Sequence, residues 1–181
     1  MVHFFNFALK VFLLALTLYA ISLYTSSKIQ SFKQDQQFNS PVSMAERERQ
    51  LTCLAKNIYF EAASEPFEGK VAVAQVTINR AESGKYPSDI CDVVYQKNVV
   101  YGKVICQFSW YCESGPTVRH SGAYKESMEV AKKVLLEDFR LSSLRNAYFY
   151  HAEYINPNWK LPKITQIGHH IFYGQRTNGK T

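Results

Sequence analysis

The stretch Leu51-Thr52-Cys53-Leu54-Ala55-Lys56-Asn57-Ile58-Tyr59-Phe60-Glu61-Ala62 decides how this chain is read. Its apolar residues fall at Leu51, Leu54, Ala55, Ile58 and Ala62, the three-and-four spacing of a helix that buries one stripe. Glu61 stands in that stripe, so its side chain points toward the core rather than into water. Burial disfavours the charged form of a carboxylate, and a nearby helix C-terminus disfavours it further; both push the pKa upward. A carboxyl kept protonated near neutral pH can serve as a general acid. The plainer alternative is a helix-end Glu paired with Lys56 or Lys70.

Working outward, Ser43 and Glu46 have the spacing of a capping box and place the start of this helix at Ser43. Ser64, Pro66 and Glu68 mark the start of a second helix, because Pro is tolerated in a first turn and acidic residues suit that end. Its Val71, Ala72, Ala74, Val76 and Ile78 predict a buried, closely packed element that stops by Gly84. After Pro87-Ser88 a shorter helix runs through Ile90, Val93 and Val94. No period holds from Val99 to Thr117; Gly102, Gly115 and Pro116 punctuate a loop that carries Gln107-Phe108-Ser109-Trp110. Ser121 is placed to cap a further helix through Tyr124, Met128, Ala131 and Leu135 to about Asp138. The aromatic runs at 147–151 and 170–173 read as two pairing strands, joined across Pro157, Trp159 and Pro162 by a rigid extended loop. The fold class is therefore α+β, a mainly helical core with a small antiparallel sheet late in the chain.

At 181 residues there is room for one sizeable core. Twenty-one Lys and Arg against fifteen Asp and Glu give a net charge of +6, which favours an anionic partner such as an anionic cell-wall polymer. The cations are scattered, with no block beyond Lys132-Lys133, so no nucleic-acid groove is expected. Val11 to Tyr24 is uncharged and follows the mostly apolar Phe4 to Leu9. Residues 1–26 read as a signal peptide or a signal anchor; Ala20 and Ser22 offer a cleavage site, but one inside the apolar run, which favours the uncleaved anchor if Lys10 snorkels. Either reading exports the rest of the chain across the inner membrane, toward the periplasm and cell wall. Residues 27–42, rich in Ser, Gln and Lys, read as a flexible linker, 43–176 as the domain and 177–181 as a tail. Cys53, Cys91, Cys106 and Cys112 on the exported side suggest two disulfides of open connectivity. They lack a Cys-x-x-Cys pair, so no metal is expected.

A raised carboxyl gains chemical meaning if it stands beside a groove for a sugar polymer. Sugar rings stack on aromatic side chains, and amides bind their hydroxyls. Asn57, Tyr59, Gln107, Phe108, Trp110, Tyr148, Tyr150 and Trp159 supply that inventory, with His151 and His170 beside them. Most glycosidases use two carboxylates. The candidates for a second are Glu65, Asp89, Asp92, Glu113 and Glu153, and none has so unusual a context as Glu61. A one-carboxylate route is therefore kept open, in which the C6 hydroxyl of N-acetylmuramic acid attacks its own C1. His151, His169 and His170 have no metal-ligand spacing, and Ser109 lacks the Gly-x-Ser-x-Gly context of a serine hydrolase.

These residues also resemble a known family. The runs 54–62, 65–74 and Ile78-Asn79-Arg80, then Tyr86-Pro87, Ile90-Cys91-Asp92-Val93-Val94-Tyr95-Gln96, Gln107-Phe108-Ser109-Trp110, Pro157, Trp159 and 167–173 follow one order. That order is similar to the catalytic domain of the SleB-like cell-wall hydrolases, named for the spore-cortex-lytic enzyme. The resemblance implies a lysozyme-like helical core that cleaves the MurNAc–GlcNAc bond of peptidoglycan, by lytic transglycosylation or hydrolysis, with Glu61 as its acid and no cofactor. A phage endolysin and a bacterial wall-remodelling enzyme both suit it; the rival reading is a non-catalytic peptidoglycan-binding anchor. One departure is Glu61-Ala62-Ala63-Ser64-Glu65, where the family commonly has Glu-Ala-Arg-Gly-Glu.

Overall fold

The structure, a computed structural model, describes residues 2–38, 41–113 and 117–176. The chain divides into two compact units, Met1–Glu46 and Arg47–Thr181. The first contains helix α1, Val2–Phe38. Its segment Phe12–Lys33 is long and apolar enough to cross a membrane, and its apolar side chains from Phe12 to Ile29 are exposed. The helix continues through residues 27–38, which composition assigned to a linker. Lys and Gln carry little helical penalty, and extending a formed helix avoids the cost of a new nucleus. Gly115, Pro116 and the tail 177–181 lie outside the described residues.

Helix α2 spans Pro41–Ala62 and α3 spans Phe67–Glu82. Helix α2 begins before the expected cap at Ser43, since Pro41 is pre-organised for a first helical position. Leu54, Ala55 and Ile58 are fully buried, as their spacing requires. Helix α3 is the centre of the second unit. Its Val71, Ala74 and Ile78 pack into one cluster with Leu54 and Ile58, together with Val130 and Val134 from α5, Ser121–Leu136. Ala72 and Val76 face a smaller cluster with Leu144, Ala147 and Phe172. His120, rather than Ser121, holds the N-cap position of α5. Helix α4, Ile90–Val94, is capped by Asp89, whose side chain accepts from the Asp92 N–H.

Polar side chains on α3 fix the next layer. Gln75 donates to the Leu141 carbonyl at 3.1 Å and accepts from its N–H at 2.8 Å. Asn79 Nδ2 donates to the Leu144 and Ala147 carbonyls, both at 2.8 Å. These bonds replace strand partners and hold β3, Ala147–Ala152, against the helix.

Two β features depart from the sequence reading. The segment read as an irregular loop opens with a hairpin, β1 Lys97–Val100 and β2 Lys103–Cys106, in the register Val99↔Val104 and Val100↔Lys103. Its two-residue turn has positive φ at both Tyr101 (49°) and Gly102 (75°), the conformation that joins twisted strands tightly. The late sheet has three strands in the order β3-β5-β4, all antiparallel, because Lys163–Ile167 forms β4 beside β5, His170–Gly174. The expected extended loop therefore ends at Pro162. The disulfides are Cys53–Cys91, linking α2 to α4, and Cys106–Cys112, closing the short aromatic segment.

Candidate active site

Helix α2 delivers Glu61 to its C-terminal end, where the apolar stripe runs out beneath a cleft of about 640 Å³. Glu61 is half-buried, and the Tyr150 hydroxyl donates to its Oε2 at 3.0 Å. Burial raises the Glu61 carboxyl above its ordinary range. The Tyr150 hydrogen bond and the Arg80 charge act against that shift, and the nearby Glu113 charge adds to it. The salt-bridge alternative with Lys70 is overturned: Lys70 pairs instead with Glu126 at 2.9 Å. Burial also pushes the Tyr150 hydroxyl well above 10, so it stays protonated as a donor.

Gln107, Phe108 and Trp110 line the cleft from the 3-10 turn Ser109–Cys112 and the residues before it. Phe108 and Trp110 are largely buried, and Trp110 stacks on Phe60 with ring centroids 4.5 Å apart. They form a rigid wall rather than a free platform. From β3 and the loop after it come Tyr150, His151, Tyr154 and Trp159. Trp159 is 42% exposed yet held edge-on by Phe149, His151 and Tyr173, which suits an apolar face offered to a ligand. The Ala152 carbonyl lies 2.9 Å from His151 Nδ1 and can only accept, so that nitrogen carries the proton. In the neutral ring Nε2 then accepts from the Tyr173 hydroxyl at 2.9 Å.

His170 also lines the cleft. Burial lowers its pKa, Glu65 opposes that, and His169 and His151 add to it.

Two residues expected to hold a sugar stand elsewhere. Asn57 is fully buried; its Oδ1 accepts from the Trp110 indole N–H at 3.0 Å while its Nδ2 donates to Thr77 Oγ1 at 3.2 Å. It lies one turn before Glu61 on the same face of α2 and orients the cleft wall from behind, because its amide is taken up by Trp110 and Thr77. Tyr59 is buried, and its hydroxyl accepts from the Arg119 and His120 N–H groups at the start of α5. Tyr148 supplies its carbonyl to Arg80.

Of the candidate second carboxylates, Glu113 lines the cleft. Asp89 caps α4 and pairs with Arg49, while Asp92 lies exposed in the first turn of α4. Glu153 accepts from Gln166 at 2.6 Å. Glu65 is buried under the β4–β5 turn, where its Oε2 accepts from the His169 N–H at 3.0 Å and its Oε1 meets the ring nitrogen at 3.1 Å. Burial alone would raise the Glu65 carboxyl, but the His169 bonds and the charges of His170 and His169 hold it below its ordinary range. It ties the connection between α2 and α3 to the sheet. Sequence reading missed Arg80 and Tyr154 as cleft residues. Tyr154 had a signal, since it comes just after the aromatic strand; Arg80 entered the sequence reading only within the run Ile78-Asn79-Arg80.

The arrangement can donate a proton from a raised carboxyl to a ligand held among aromatic faces. A family model described as Cell Wall Hydrolase matches residues 64–173, beginning just beyond Glu61. The spore cortex-lytic enzyme of Bacillus cereus is 28% identical over 147 residues, covering 77% of this chain and 49% of that protein. Its counterpart from Oceanobacillus iheyensis is 28% identical over 142 residues, covering 74% of this chain and 44% of that protein. The chain thus spans about half the length of these curated relatives. The crystal structure of the catalytic domain of the Bacillus cereus SleB protein has the same fold, with a TM-score of 0.52 at 22% identity over 70% of this chain and 90% of that one. With more than half of its residues matched by the family model, the chain belongs to the cell wall hydrolase family.

Proposed function

We propose that this protein degrades peptidoglycan by cleaving the MurNAc–GlcNAc glycosidic bond, with Glu61 as general acid and then base. The observation that carries the reading is the raised Glu61 carboxyl at the floor of an aromatic cleft. Glu61 gives its proton to the bridging oxygen as the bond to MurNAc C1 breaks, and GlcNAc leaves with a free O4 hydroxyl. The charge developing at C1 is relieved by the MurNAc C6 hydroxyl, which forms a new C–O bond and returns its proton to Glu61. The product is a 1,6-anhydro sugar and no water is consumed. Should water attack in place of the C6 hydroxyl, the same proton cycle yields a reducing end. Glu113, the other carboxylate lining the cleft among the described residues, is the group able to steer such a water.

Gln107, Trp110, His151 and Trp159 hold the glycan in this reading. The apolar segment Phe12–Lys33 supports export, with the chain anchored in the inner membrane and its second unit facing the wall. The net charge of +6 suits an anionic wall polymer. The test is incubation of the full chain, solubilised in detergent, with purified sacculi, followed by mass analysis of the released fragments. Anhydro-muropeptides establish transglycosylation, and reducing ends establish hydrolysis. Sedimentation with sacculi and no product leaves a binding protein and sinks the enzymatic reading.

A further inference from the structure

Arg80 is a buried cation that forms no ion pair among the described residues. Its side chain projects from the last turn of α3, is only 4% exposed, and lines the cleft that holds Glu61. The Nε–H donates to the Tyr148 carbonyl at 2.8 Å. The guanidinium lies over the rings of Tyr86 and Phe108, with centroids at 5.5 and 5.3 Å. Among the described residues no carboxylate forms an ion pair with it, and its Nη1 is buried with no hydrogen-bond partner. A guanidinium cannot shed its charge by losing a proton, and an orphaned buried N–H is costly. Such a group calls for an explanation, and a role in the reaction is one.

Glu61 passes through such a state. In the reading above it becomes a carboxylate between its two proton transfers, in surroundings whose main effect is to disfavour that charge. The groups that act on it are Tyr150 from β3, Glu113 from the end of the 3-10 turn, and Arg80 from α3. Tyr150 supplies one hydrogen bond and Glu113 repels. Arg80 is the positive charge among the three. Strand β3 draws the pair together, since Arg80 binds the backbone at Tyr148 and Glu61 binds the side chain of Tyr150.

We propose that Arg80 is the positioning residue for Glu61, holding the carboxylate left after proton donation through the Nη1–H that the resting structure leaves unpartnered. This rests on Glu61 being the acid. It explains how one carboxyl group can serve in both halves of the reaction: the permanent charge of Arg80 stabilises the ionised intermediate without a second acidic residue. Because Nη1 is sealed from solvent, a substrate carboxylate is poorly placed to reach it, whereas Glu61 belongs to the same cleft wall.

The test compares the full chain with Arg80→Met and Arg80→Gln, both neutral, and Arg80→Lys. Gln retains a donor for the Tyr148 carbonyl, so either neutral variant suffices if the other fails to fold; near-UV circular dichroism identifies the folded one. The readouts are the Glu61 titration midpoint from carboxyl 13C NMR, with Glu61→Gln assigning the signal, and the pH profile of sacculus solubilisation. Removing the cation is expected to raise the midpoint and move the alkaline limb of activity up by about one unit. It is expected to lower kcat about 100-fold with KM little changed. Arg80→Lys is expected to keep the native midpoint and recover part of the rate. A folded neutral variant whose midpoint and pH limb match the native protein overturns the proposal. Full activity in Glu61→Gln would sink the functional reading instead, and the two failures are distinct.

Discussion

The Tyr150 hydroxyl donates to Glu61 Oε2 at 3.0 Å, joining a strand to the end of a helix 89 positions earlier in the chain. The bond favours the ionised carboxyl and so works against the larger effect of burial. Tyr150→Phe removes that opposition. The Glu61 carboxyl is expected to titrate higher, and the alkaline limb of the activity profile to move up by about half a unit to one unit. A pH–rate series on sacculi checks this. A downward shift would mean that the hydroxyl does not act on the ionised form.

Glu61→Gln is expected to abolish turnover and to make the protein more stable at alkaline pH. A carboxyl whose folded pKa is raised contributes stability that is fully present below its unfolded value, about 4.3, and is lost as pH rises through the folded value. Gln keeps an acceptor for Tyr150 and cannot ionise. Calorimetry should show a Tm gain on the order of 2–4 °C at pH 8 and none at pH 4. Equal shifts at both pH values would remove ionisation as the cause.

Gly168→Ala is expected to cost about 3 kcal/mol, whereas Gly84→Ala costs about 1 kcal/mol. Both glycines have positive φ, 57° and 68°. A Cβ on Gly84 meets nothing within 4 Å, while one on Gly168 falls 1.9 Å from Glu65 Oε2. The carboxylate would have to leave His169. Glu65 has the opposite pH sign to Glu61: its folded pKa is lowered, so its contribution is present above about 4.3 and is lost as pH falls through the folded value. Denaturant melts at pH 7 and pH 3 should therefore show the Gly168→Ala deficit shrinking in acid.

The disulfides are expected to separate stability from function. Cys53–Cys91 closes 38 residues and Cys106–Cys112 closes 6, so loop-closure entropy assigns them about 4 and about 2 kcal/mol. Paired Cys→Ala changes should lower stability in that order. The smaller ring contains Phe108 and Trp110, so its opening should raise KM for sacculi more than the loss of the larger one. Denaturant melts and initial rates on both double variants decide it.

Periodicity alone carried a good part of this fold to the page. The stripe Leu54, Ala55 and Ile58 is buried as its spacing requires, and α3 ends before Gly84 because its turn needs positive φ. The hairpin at 97–106 was missed although Val99-Val100 and Val104-Ile105 flank a two-residue Tyr-Gly turn. Each strand is only four residues long and exposed, so no alternation of buried and solvated positions marks it. Strand β4 was missed because its pairing with β5 is set by the turn at Gly168 and by Glu65, 104 positions before His169.

What the sequence determined by itself was local in origin: the helical frame, the apolar N-terminal segment, and a carboxylate on the wrong face of a helix, each written in spacings of three to seven residues. What only the tertiary structure decided was the company that carboxylate keeps. The Tyr150 hydroxyl, the Arg80 guanidinium with its unpartnered Nη1 and the Glu113 charge act on Glu61 from other segments of the chain, while Asn57, one turn before it on the same helix, is taken up in holding Trp110. Spacing along a helix fixes which way a side chain points; only packing fixes what waits for it there.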